Sequence, residues 1–164
     1  AVAVDRDAWL AASSLPGVIV DDRPHAEEHA IEVQLPFLQS TLDHFTILPI
    51  AVGEADPAQV AAVLEALWGG PETLIVISSD LSHYHPYRQA QFRDKATIAQ
   101  IRQLDATLDG EQACGAGAIN GLLLAARRHH LTPHLLDLRN SGDTAGDRRR
   151  VVGYAALAFA EADA

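Results

Sequence analysis

The chain has one cysteine, Cys114, and no methionine, and only 5% of its 164 residues are aromatic. A lone thiol cannot close an internal disulfide, so packing and hydrogen bonds must hold the fold, and a reducing cytoplasm is the simplest setting. No apolar run reaches the ~18 residues of a membrane span and no signal peptide is legible, which argues against a membrane partner. Basic residues are scarce: twelve Lys+Arg face twenty-two Asp+Glu, for a formal net charge of −10. Such a surface repels phosphate backbones and argues against a nucleic-acid partner. The one basic run, Arg148-Arg149-Arg150, reads as an exposed turn before a strand. The missing methionine, in a chain that opens almost directly into an apolar segment, leads us to expect a piece of a longer protein. Richness in Ala and Arg with little Lys suggests a GC-rich bacterial genome.

What is present is globular. The chain is 48% hydrophobic and 21% charged, and its length suits one domain over residues 1–164. Asp5 can cap a short helix through Ala11, and Gly17-Val18-Ile19-Val20 reads as a brief strand. Ile31, Leu35, Leu38 and Leu42 fall at spacings of 4, 3 and 4, which predicts a helix over 25–42 that Pro36 kinks or divides. Phe45 to Val52 reads as a strand, with Pro49 favouring an edge. Helices follow at Ala58–Trp68, 87–104 and Ala113–His129, and strands at Thr73–Ser79, Pro133–Leu138 and Val151–Phe159. A loop over 140–147 joins the last two strands. Alternating strands and helices predict an α/β layered domain.

The most informative stretch is Ile75-Val76-Ile77-Ser78-Ser79-Asp80-Leu81-Ser82-His83-Tyr84-His85. An apolar, β-branched run ends in hydroxyls, an acid and two imidazoles, and α/β sheets bind ligands just beyond the carboxyl ends of their strands. His83 suits general acid–base work, and Asp80 can ligate a cation or hold an imidazole in one tautomer. A bland alternative is that Ser78, Ser79 and Asp80 simply cap the next segment. Cys114 stands at a predicted helix start, where the positive end of the dipole favours a thiolate nucleophile or metal ligand. The glycines after it do not form a dinucleotide fingerprint. His25-Ala26-Glu27-Glu28-His29 matches the inverted-zincin pattern, and on a helix its two imidazoles would share a face.

In combination these motifs resemble a known family. Glu28-His29-Ala30-Ile31-Glu32-Val33-Gln34-Leu35-Pro36-Phe37-Leu38 resembles an element of the Memo family, whose prokaryotic members are the AmmeMemoRadiSam system protein B group. Ser78-Ser79-Asp80-Leu81-Ser82-His83-Tyr84 and Cys114-Gly115 through Ala118-Ile119 are similar to two further motifs of that family. Ser141-Gly142-Asp143-Thr144 and Val151–Ala156 are similar to its closing loop and strand.

The resemblance implies a fold like that of class III extradiol dioxygenases, a three-layer α/β sandwich with a mixed, mostly parallel sheet flanked by helices. It also implies His29 and Cys114 as metal ligands, with His83 as the acid–base group and Asp80 beside it. Fe(II) is the first candidate cofactor, with copper or zinc as alternatives. A third family ligand, an N-terminal histidine, has no counterpart here, so the chain reads as the C-terminal two-thirds of the family fold. Two functions follow: a dioxygenase-like oxidoreductase of unknown substrate, or a non-catalytic adaptor that binds a peptide or protein in the same cleft. The partners implied are a small molecule or peptide and other AmmeMemoRadiSam system proteins.

Overall fold

Capping chemistry sets the helix starts. In the computed structural model, which describes residues 1–144 and 146–161, Asp5 accepts the Ala8 N–H at 2.9 Å and opens α1, Arg6–Ser13. A short strand, β1 (Ala3–Val4), leads into it. The helix α2 is confined to Leu35–Thr41, with Pro36 in its first turn, where a missing N–H costs nothing. The expected helix over 25–42 is therefore shorter: Arg23–His25 forms a 3-10 turn and Ala26–His29 is irregular. Here the apolar period survives only past Pro36.

After β2 (Thr46–Ile47), α3 spans Pro57–Ala66. It begins with a reciprocal cap in which Asp56 accepts the Ala58 N–H and Gln59 accepts the Asp56 N–H. A three-residue strand, β3 (His83–His85), precedes α4 (Tyr87–Arg102), and α5 covers Ala116–Arg128. Helices α3 and α5 approach closely at Gly121, where a Cβ would lie 2.3 Å from Val60 Cγ1. The chain closes with β4 (Leu131–Asn140) and β5 (Val151–Glu161). Between them Ser141–Asp143 forms a 3-10 turn, and Ala145 of the expected loop lies outside the described residues.

Leu81, Ile98, Ile101, Leu108, Ala113, Ala116 and Leu123 form a buried cluster joining α4, α5 and the segment before β3. Buried Asn120 clamps the loop between those helices, accepting the Leu108 N–H at 3.0 Å and donating to the Leu108 carbonyl at 2.8 Å. The fold is thus α/β, as expected, with five helices and two small sheets among the described residues.

The sheets differ from the expectation of one mixed, mostly parallel sheet. Only β1 and β2 pair in parallel, while β3, β5 and β4 form an antiparallel sheet in that order. The segments read as strands at Gly17–Val20 and Thr73–Ser79 enter no ladder, and Phe45–Val52 does so only at Thr46–Ile47. Their β-branched sequences favour extended backbone, but a ladder also needs a neighbour to accept and donate. No described helix is long and apolar enough to cross a membrane.

Candidate functional site

The site forms where Ser78–Asp80 runs against the start of α5. Gly115 makes this approach feasible: a Cβ there would lie 2.8 Å from Ser79 Cβ and 3.2 Å from the Ser78 carbonyl oxygen. Its N–H donates to Ser79 Oγ at 2.8 Å, and that hydroxyl donates onward to the Asp80 carbonyl at 2.7 Å. Cys114 Sγ sits 3.6 Å from Ser79 Oγ and accepts the Asp80 N–H at 3.2 Å. The exposed thiol is thereby fixed beside the Asp80 backbone.

Asp80, His83 and Cys114 each present one ligand atom, and these atoms lie within 4.8 Å of one another. His83 Nε2 stands 3.6 Å from Asp80 Oδ2, and both side chains are half-buried. Three of the four groups singled out from the sequence therefore meet in one crevice. The fourth, His29, is exposed and lies outside this group. Its segment is tied to the site through Gln34, whose Nε2 donates to Ser78 Oγ at 2.9 Å. Backbone N–H groups of Ala30 and His29 hold the Glu28 carboxyl below its ordinary range. The inverted-zincin geometry does not form, because the backbone between His25 and His29 is not helical.

Two features hold His83. The first is Tyr84, whose φ of 62° is left-handed, a conformation costing a non-glycine residue on the order of 1–3 kcal/mol. With it the β3–β5 register slips: His83 pairs with Val152 and His85 with Val151. The second is Asp94, a carboxylate only 2% exposed in the middle of α4. Its Oδ1 accepts the Ser82 N–H at 3.1 Å, and its Oδ2 packs where a Cβ on Gly153 would be 2.2 Å away. Leu81 N–H donates to the Gly153 carbonyl and Gly153 N–H to the Ser82 carbonyl, both at 2.9 Å. The residue before His83 is thus gripped by both a helix and a strand.

Asp94 escaped the sequence reading, although its place on the stripe Ala90, Asp94, Thr97, Ile98 and Ile101 marks an acid on a buried face. Tyr154 was also read only as part of a strand. Burial, and secondarily the charge of Asp80, push its phenol above the ordinary value of 10, so it stands near the site as a protonated hydroxyl. At the rim, the Arg150 guanidinium lies 4.9 Å from the centre of the exposed Tyr84 ring.

A family profile described as "Memo-like protein" matches residues 1–158. The chain belongs to the Memo-like family. A MEMO1 family protein of Metallosphaera sedula is 34% identical over 157 residues, covering 88% of this chain and 56% of its own length. One from Sulfolobus acidocaldarius is 33% identical, covering 98% of this chain and 61% of its own. One from Methanosarcina barkeri is 38% identical, covering 95% and 64%. The Memo-like chain thus spans 56% to 64% of the length of these relatives. The three sequence motifs lie inside the matched region, and two of them supply the crevice residues.

Proposed function

We propose that this Memo-like chain holds a transition-metal ion in the crevice of Asp80, His83 and Cys114 and serves a metal-dependent redox role. The observation that carries this reading is the convergence of a carboxylate oxygen, an imidazole nitrogen and a sulfur within 4.8 Å. Metal–ligand bonds of about 2.0–2.3 Å separate tetrahedrally arranged donors by roughly 3.3–3.8 Å. The His83–Asp80 separation of 3.6 Å suits that spacing. Thiolate with imidazole is a donor set for iron, copper or zinc, and the family resemblance favours Fe(II).

When bound, such an ion would supply Lewis-acid or one-electron chemistry. The chain's own residues do the positioning. Ser79 and the Asp80 N–H orient the sulfur, the Asp94–Ser82 grip orients His83, and Tyr154 keeps a neutral donor beside Asp80. His29 is a further ligand in this proposal, supported by its motif and by the Gln34 tether. A dioxygenase-like three-layer sandwich and a cytoplasmic setting belong to the same proposal. So do a small-molecule substrate and partners within the AmmeMemoRadiSam system.

The test is anaerobic reconstitution with Fe(II), Cu(I) and Zn(II), followed by metal analysis and calorimetric titration of the chain and its variants. One ion per chain is expected, with Cys114→Ser lowering affinity sharply. Retention of no metal would overturn the proposal. It would favour the second reading, a peptide-binding adaptor, for which the exposed Tyr84 and its Arg150 neighbour form a recognition rim.

A further inference from the structure

Three extended, β-branched stretches of this chain leave their backbone unpaired. Among the described residues, no backbone–backbone hydrogen bond involves Ile19–Asp21, Leu48–Val52 or Leu74–Ser79. In Leu74–Ser79 the side chains alternate as in a strand: Ile75 and Ile77 are half-buried, while Leu74 and Val76 are 68% and 46% exposed. A row of open N–H and C=O groups beside exposed apolar side chains is a template for pairing, and neither charge nor proline blunts this one. Leu48–Val52 is the weaker edge, because Pro49 lacks a donor. Both stretches run to the same place, since a Cβ on Gly117 would be 3.5 Å from Val52 Cγ1 and one on Gly115 would be 2.8 Å from Ser79 Cβ.

The comparisons indicate what covers this edge. The three relatives use 88% to 98% of this chain but only 56% to 64% of their own length. More than a third of each relative is therefore polypeptide that must pack somewhere. We infer that Leu74–Ser79 is a docking edge for an added β-strand, and that the strand is supplied by the polypeptide which the relatives carry outside the matched region. Main-chain bonds to the open N–H and C=O groups would give affinity, and alternate apolar residues packing beside Leu74 and Val76 would give register. This inference is independent of the metal proposal.

The test mixes this chain with the unmatched portion of the Methanosarcina barkeri relative, expressed separately and also presented as overlapping immobilised peptides. A one-to-one complex is expected, with exchange of the Leu74–Ser79 amides slowed at least roughly tenfold and β4–β5 unchanged. Val76→Pro removes an N–H that is unpaired in the free chain. It should abolish the complex while leaving the unfolding midpoint and β4–β5 exchange of the free chain intact. The inference is overturned if neither the separate portion nor any peptide binds. It is also overturned if binding leaves Leu74–Ser79 unprotected, or if Val76→Pro binds as well as the parent. Protection that rises with the concentration of this chain alone would assign the edge to a second copy and equally overturn it.

Discussion

Gly115 lies so close to Ser79 that a single added methyl group would sit 2.8 Å from the Ser79 Cβ. The contact is the hinge of the site, because the same serine accepts the Gly115 N–H and flanks Cys114 Sγ. Gly115→Ala should push the Ser79–Asp80 backbone off the start of α5 and cost about 1–3 kcal/mol of stability. Metal affinity should fall at least as far as in Cys114→Ser, while the hydrophobic core, measured by near-ultraviolet circular dichroism, stays native. Full metal uptake by Gly115→Ala would disconnect the contact from the site.

Asp94 should matter through the backbone it holds. Asp94→Ala leaves the buried Ser82 N–H without its acceptor, at a cost of about 1–3 kcal/mol. Asp94→Asn keeps an acceptor oxygen and should recover most of that loss in a denaturant titration. Ser82→Ala makes an informative contrast. Its hydroxyl is buried with no hydrogen-bond partner among the described residues, so removing it should be neutral or stabilising.

The roles of His83 and Cys114 separate by metal analysis. If His83 is a donor, as its distance to Asp80 favours, His83→Ala should lose bound metal together with Cys114→Ser. If it moves protons instead, His83→Ala should keep the metal and lose turnover or oxidation. His29→Ala should weaken binding if its exposed imidazole closes onto the crevice. An unchanged affinity would remove it from the ligand set.

Acid should weaken the turn after β4 before the core. The Tyr87 hydroxyl, then the Asn140 N–H, hold the Asp143 carboxyl below its ordinary 3.8. A lowered folded value means that this stabilisation is complete above 3.8 and disappears as pH falls through the folded value. Asp143→Asn should therefore show a lower unfolding midpoint than the parent at neutral pH. The two should converge in scans carried below 3.8. A gap that persists in strong acid would rule out the carboxylate as its source.

Local chemistry explains which parts of the fold were legible. Asp5, Asp56 and Pro57 announce their helices by capping, and the apolar periods of α4, α5, β4 and β5 survive because each is complete within its own segment. The strand-like stretches at Gly17–Val20 and Thr73–Ser79 show the limit: propensity predicts extension but not a partner. β3 was missed because Tyr84 turns left-handed and breaks the alternation. In the site, residue type and motif order singled out Asp80, His83 and Cys114. The placement of His29 depended on a helix that the irregular Ala26–His29 backbone does not form. Asp94 acts through one peptide N–H, which no motif encodes.

With one cysteine and no methionine, Cys114 Sγ is the only sulfur atom in these 164 residues, and it lies exposed at the crevice. Any sulfur-edge X-ray absorption from this polypeptide therefore comes from a single atom. A thiol-directed probe can attach at one position only, so the molecule carries a native reporter beside Asp80 without any engineering.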